Sequence, residues 1–184
     1  MKGLISFSLF IVIAVIVWLS ITQDLSDSLQ LQQTGNKPYV DIFMNAFELT
    51  AMDESGAPGY ILHGSHLQRF NNSDDIEIKQ PVFHLLQKGA QWKITADIAI
   101  LNNKNKTIRL NNNVFMQQQN IDPAVSIRTQ TMLVHTETQI AQTQALINFT
   151  KGLSKMKSNG MIFNNITSEL ELLSNVDGFF LPYE

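Results

Sequence analysis

Apolar and polar residues alternate in short runs over most of this chain, and Asn, Gly, Asp or Ser separates one run from the next. After Pro38 no segment keeps apolar residues at helical spacing for three turns, whereas many short runs keep the two-residue spacing of strands. Short alternating runs divided by turn-forming residues are typical of antiparallel strands. The sequence therefore predicts an all-β domain over residues 38–184.

Four segments of this domain resemble one another, and their starting points recur roughly every 30 residues, as in proteins built from repeated units. They are residues 64–82, 96–114, 129–147 and 158–176. In the first run of each segment the apolar spacing changes once from two residues to three, as between Ala96 and Ala99. A three-residue step moves a side chain to the other face of a strand unless the strand bends there. The second run of each segment keeps strict alternation.

Hairpins that lie side by side and all bend at the same position along their strands form two facing sheets. We therefore predict a twisted β-jelly roll. Some of the inward positions are small or polar, such as Thr129, Thr143 and Ser158. The two sheets then need not close along their whole length, which leaves an apolar slot for a long apolar ligand. The residues predicted to line this slot are Leu62, Leu67, Ile78, Ile94, Ala96, Leu101, Leu110, Ile127, Met132, Val134, Met161 and Phe163.

The N-terminal segment has a different pattern, because residues 4–21 contain no charge and are mostly Leu, Ile, Val or Phe. As a helix this run would extend about 27 Å, close to the thickness of a bilayer's hydrocarbon core. A cleaved signal peptide and a buried helix of a soluble domain are the alternatives, but the run is long and no A-x-A site follows it. We expect a transmembrane anchor over residues 1–23 with a short cytoplasmic N-terminus, followed by a polar linker over residues 24–37.

The composition excludes several kinds of chemistry. The chain has no cysteine, so it has no disulfide, thiol nucleophile or cysteine zinc site, and its net charge of −3 argues against nucleic-acid binding. His63 and His66 are three residues apart in a predicted strand, His84 and His135 are isolated, and the acidic residues are scattered. We therefore predict no catalytic site, no metal site and no cofactor.

Several stretches together resemble the LptC family of lipopolysaccharide-export proteins. They are "KPYVDIFMNAFELTAMDESGAPGYILHGSHLQRF", "IEIKQPVFHLL", "WKITADIAIL" and "IRLNNNV", in this order behind an N-terminal anchor. Each motif alone is weak, but their order and spacing are specific to the family. The chain departs from the family pattern at Gly64, where Ala is usual, and at Asn112, where Gly is common.

The resemblance implies a single-pass protein of the inner membrane with its β-domain in the periplasm. It further implies a non-enzymatic link that accepts lipopolysaccharide from the ABC transporter LptBFG and passes it to LptA, which docks by strand addition at the C-terminal sheet edge. The residues expected at that docking edge are Leu170, Leu172, Val176 and Phe180. Gly56 and Gly152 match glycine turns linked with function in the family. From the residues alone an alternative stays open, a membrane-anchored adaptor with a fully packed interior.

Overall fold

The computed structural model describes residues 38–52, 56–86 and 91–181, which from Tyr39 onward belong to one compact unit. These residues form strands joined by turns, which confirms the predicted all-β class for this part of the chain. The predicted anchor and linker, residues 1–37, lie outside the described residues. Within the described ranges no helix has the length and apolar character needed to cross a membrane.

The described part of the chain contains eleven strands. They are β1 (Val40–Met52), β2 (Pro58–Phe70), β3 (Asp75–Lys79), β4 (Val82–Leu85), β5 (Gln91–Thr95), β6 (Ile98–Asn102), β7 (Thr107–Gln119), β8 (Val125–His135), β9 (Ile140–Lys151), β10 (Ser154–Asn164) and β11 (Glu169–Phe179). All of their pairings are antiparallel, as expected for strands joined by short turns.

The strands form one sheet, in the order β11-β10-β9-β8-β7-β5-β4-β2-β3-β6, and β1 pairs with β2. The first half of β2 pairs with β4 and its second half with β3. In the same way β7 pairs with β6 through its first half and with β5 through its second half. The short ladders β4–β5 and β3–β6 thus connect β2 to β7 by two separate routes, which divides the sheet into two layers.

A row of backbone irregularities marks the line where the sheet folds. Gly160 in β10 has a φ of 82°, and the ladder between β7 and β8 shifts register next to Asn112 and Asn113. Between β5 and β6 the amide of Asp97 donates to the Asn112 carbonyl oxygen at 3.0 Å, which places this junction beside the bend of β7. The bend predicted from the step between Ala96 and Ala99 is therefore confirmed, because both residues are buried on either side of it.

In three of the four repeats a change of backbone conformation follows the alternating pair of the second run. Gln80, Asn112, Asn113 and Asn175 all have positive φ, and they lie between the alternating pair and the last apolar residue of their repeats. Asparagine adopts this left-handed conformation more readily than most residues, because its short polar side chain bonds the local backbone. The two predicted sheets are consequently two layers of one continuous folded sheet.

The hydrophobic core fills the space between the two layers, closest to the fold line. The side chains of Leu62, Ile78, Leu110, Met132 and Met161 are all but inaccessible to solvent. Burying each such side chain contributes roughly 1.5–3 kcal/mol to stability. This packed end holds the layers together and fixes the separation of their opposite ends.

Candidate functional site

A cavity of about 710 Å³ lies between the two layers, and strands from most of the sheet contribute to its lining. One wall is built from strand segments of the layer that contains β4 and β5, and the other from the layer that contains β6. The apolar side chains of the first wall are Met52, Tyr60, Phe83, Leu85, Ile94 and Met116. Those of the second wall are Leu101, Ile108, Leu110, Val134, Ala141 and Phe163.

The structure divides the predicted slot residues into two groups. Five line the cavity, namely Ile94, Leu101, Leu110, Val134 and Phe163. The other seven are buried in the core near the fold line, namely Leu62, Leu67, Ile78, Ala96, Ile127, Met132 and Met161. All twelve face inward or contact the core, but the open space adjoins only five of them.

Sequence reasoning missed several lining residues, including Tyr60, Phe83, Leu85 and Met116. The two-residue spacing that identifies most of them is present in the sequence. Phe83 and Leu85 alternate within one run, and Met116 follows the buried Val114 by two residues. Extending each alternating run outward from its bend would have found these positions.

The cavity has a polar rim formed by the turns that join β6 to β7, β8 to β9 and β10 to β11. Its polar residues are Asn102, Asn103, Lys106, His135, Thr136, Glu137, Gln139 and Asn165. Asn165 is 6% exposed. Its backbone N–H donates to the Gln139 carbonyl oxygen at 3.1 Å, and its Nδ2 donates to Gln139 Oε1 at 3.2 Å. The Oδ1 of Asn165 is buried and has no hydrogen-bond partner among the described residues.

An aromatic contact connects the two layers beside the cavity. The rings of Trp92 in β5 and Phe163 in β10 meet edge to face, with centroids 5.1 Å apart. Trp92 is 5% exposed, and its Nε1–H also has no hydrogen-bond partner in the described part of the chain. Among the buried side chains that the structure describes, Trp92 therefore has an unpaired donor and Asn165 an unpaired acceptor.

Histidines cluster on the outer surface of the sheet. The rings of His63 and His84 lie 5.6 Å apart, and His63 Nδ1 is 3.4 Å from Glu48 Oε2. The pKa of His84 lies below its ordinary value because of partial burial and because His63 and Lys93 add positive charge. In residues 38–52, 56–86 and 91–181, no group of three His, Cys, Asp or Glu side chains is arranged to hold a metal ion.

The first and last strands form the two edges of the sheet. Within the described residues β1 pairs with β2 alone and β11 pairs with β10 alone. Of the predicted docking residues, Val176 and Phe180 are 50% and 58% exposed, whereas Leu170 and Leu172 pack partly against the core. Large apolar side chains are exposed at or beside both edge strands: Tyr39, Val40, Ile42, Phe43, Leu49 and Met52 at β1, and Val176, Phe179, Phe180 and Leu181 at β11.

The two glycines matched to functional turns both adopt left-handed backbone conformations. Gly56, just before β2, has a φ of 80°, and Gly152, between β9 and β10, has a φ of 57°. A side chain at either position would strain the turn, and at Gly56 this strain comes from the backbone alone because the added Cβ meets nothing within 4 Å. Their functional role stays a prediction.

Comparison with known proteins places these features in a family context. The profile of the family described as "Lipopolysaccharide-assembly, LptC-related" matches residues 9–180. No curated protein sequence matches the chain. Among solved structures, the LptA-homologous periplasmic component LptH from Pseudomonas aeruginosa aligns with 77% of this chain and 94% of its own, at 8% sequence identity and a TM-score of 0.46.

Proposed function

The chain belongs to the LptC-related family of lipopolysaccharide-assembly proteins, and from this premise we propose that it receives lipopolysaccharide from the LptBFG transporter and passes it to LptA through the slot. The family makes it a component of the lipopolysaccharide transport machinery, and the family is one of transport proteins rather than enzymes. The β-domain would stand in the periplasm, held to the inner membrane by the predicted anchor of residues 1–23.

The observation that supports this proposal is the cavity between the two layers. Its walls carry apolar side chains, and its volume of about 710 Å³ falls in the range typical of ligand pockets. An acyl chain gains about 0.8 kcal/mol for each CH₂ group removed from water. A slot with apolar walls and a polar rim suits an amphiphile whose chains are buried and whose sugar groups stay outside.

Passage through such a slot needs no catalytic residue. The sequence contains no G-x-x-x-x-G-K-[ST] loop for a nucleoside triphosphate, so the energy would come from the transporter's ATPase. The contribution of this chain is a continuous apolar surface that shields the acyl chains from water.

The two open sheet edges supply docking sites for the two neighbours in the transport chain. An exposed edge strand binds an added strand through its free backbone groups, and exposed side chains determine the partner. We assign LptA to the β11 edge, where Val176 and Phe180 are exposed, and the transporter to the β1 edge. Lipid would then pass along the slot from β1 toward β11.

Photo-crosslinking in cells tests the proposed passage. A photoreactive amino acid at Ile94 or at Phe163, which line opposite walls, is expected to form adducts with lipopolysaccharide. Ile162, the neighbour of Phe163 in β10, provides the matched control because its side chain points to the other face of the strand. Absence of lipid adducts at both slot positions, or equal adducts at Ile162, would refute passage through the slot.

The adaptor alternative gains support from one observation. Seven of the predicted slot residues belong to a packed core, so much of the interior provides no room for a ligand. An adaptor would give protein adducts at the sheet edges and no lipid adducts at Ile94 or Phe163, so the same experiment separates the two functions.

A further inference from the structure

A buried amide at the rim of the slot lacks one hydrogen-bond partner. Asn165 lines the cavity, and the hydrogen bond from its Nδ2 to Gln139 Oε1 orients its side chain. Its Oδ1 is left without a donor although the residue is 94% shielded from solvent. A buried carbonyl oxygen without a donor is unfavourable, and a ligand that supplies a donor at this place is bound more tightly for that reason.

The unpaired Oδ1 of Asn165 determines which chemical group of a ligand would bind beside it. A hydroxyl can both donate and accept a hydrogen bond. It can therefore pair with Asn165 whether the amide oxygen or the amide nitrogen occupies the unpaired position. The Nε1–H of Trp92 is also unpaired, but Trp92 does not line the cavity, so the subsite is defined by Asn165. A hydroxyl or a secondary amide can donate to the Asn165 Oδ1, whereas an ester or carboxylate oxygen only accepts.

The charges at the rim do not select an ion. Lys106 and Glu137 both line the mouth and carry opposite charges. An anionic group would be attracted by one and repelled by the other, so hydrogen bonding rather than net charge distinguishes ligands here.

We propose that Asn165 forms a polar subsite at the mouth of the slot, which binds a hydroxyl or amide group attached near the start of an acyl chain. The slot then prefers amphiphiles with hydroxylated or amide-linked chains over those with plain chains. This inference rests on the proposed passage of lipid through the slot and adds the class of ligand that the slot selects.

The test compares two probes that differ by one hydroxyl group, β-hydroxymyristate and myristate, binding to the full chain in amphipol. Partitioning of the probes into the surrounding amphiphile affects the natural protein and its variants alike, so it cancels when their affinity ratios are compared. The natural protein is expected to prefer the hydroxylated probe by about fivefold to tenfold. Asn165→Leu and the smaller Asn165→Ala are expected to reduce the ratio to about one while keeping the affinity for myristate. Asn148→Leu, on the outer face of β9, is the control and keeps the natural ratio.

The other outcomes contradict either the subsite alone or the lipid slot as well. If the natural protein binds both probes equally, or if the Asn165 variants keep its preference, the subsite is refuted and the lipid slot remains. If the Asn165 variants lose both probes, the residue shapes the slot and does not select a hydroxyl. If the natural protein binds neither probe, the lipid slot itself is contradicted, and the subsite with it.

Discussion

Single residues determine how closely neighbouring strands pack, and Gly64 in β2 shows how. A Cβ at this position would lie 2.6 Å from Cε1 of Phe47 and 2.8 Å from Cγ2 of Ile78. The Phe47 ring from β1 thus occupies the volume that a side chain at position 64 would need. This packing accounts for glycine at a position where the LptC pattern usually has alanine.

Gly64→Ala is expected to destabilise the domain by about 1–3 kcal/mol, because the new methyl group overpacks against Phe47 and Ile78. Chemical denaturation followed by circular dichroism measures the change. The double variant Gly64→Ala with Phe47→Leu is expected to recover part of the loss, since leucine lacks the ring atoms nearest the methyl group. If the effects of the two substitutions simply add, the Phe47 ring is not the cause.

At the scale of the strands, the repeat predicted the fold class and the bends of the first runs, because spacing along one strand is a local property. The three-residue step from Ala96 to Ala99 was sufficient for this. Which strands pair is not local: nothing in the alternation of β2 shows that one half pairs with β4 and the other with β3. The bends at Asn112 and Asn113 depend on backbone conformation, which a hydrophobic pattern does not report.

The same distinction applies to the slot. Leu62 and Phe83 both occupy inward positions of adjacent strands, but only Phe83 lines the cavity. Whether an inward side chain lines the cavity depends on the distance between the two layers at that point. The packing of the whole domain determines this distance. Asn165 lies in a turn, where asparagine is common for reasons of turn geometry, so its burial could not be predicted.

The exposed apolar residues of β11 permit a prediction about the edge strand. Replacing Val176 and Phe179 together with Glu is expected to weaken binding of LptA by about tenfold or more, because charges replace exposed apolar anchors at the proposed interface. Thermal stability is expected to stay nearly unchanged, since both side chains are exposed. Ile166→Glu is the control, because Ile166 is at least as exposed as Val176 and Phe179 but belongs to the turn before β11. An equal loss with the control, or no loss with the double variant, would show that the β11 edge does not bind LptA.

At the scale of the whole domain, the proposed function assigns two tasks to different parts of the fold. Partner strands would add at the β1 and β11 edges, whereas lipid would lie between the layers, whose walls include β5, β7 and β9. A substitution inside the slot is therefore expected to affect lipid without affecting the partners. An adaptor with no lipid path would not show this separation.

Ala141→Trp provides the sharpest test of that separation. Ala141 is buried in β9, lines the cavity and pairs across the ladders with Val134 and Phe163, so an indole there would fill space that the acyl chains need. Displacing two CH₂ groups costs about 1.6 kcal/mol and predicts roughly tenfold fewer lipid adducts at a photoreactive residue 94. Binding of LptA and of the transporter is expected to persist. The neighbouring Gln142→Trp places the same ring on the outer face of β9 and should leave the adducts unchanged. Normal lipopolysaccharide export by a stable Ala141→Trp protein would favour the adaptor over the conduit.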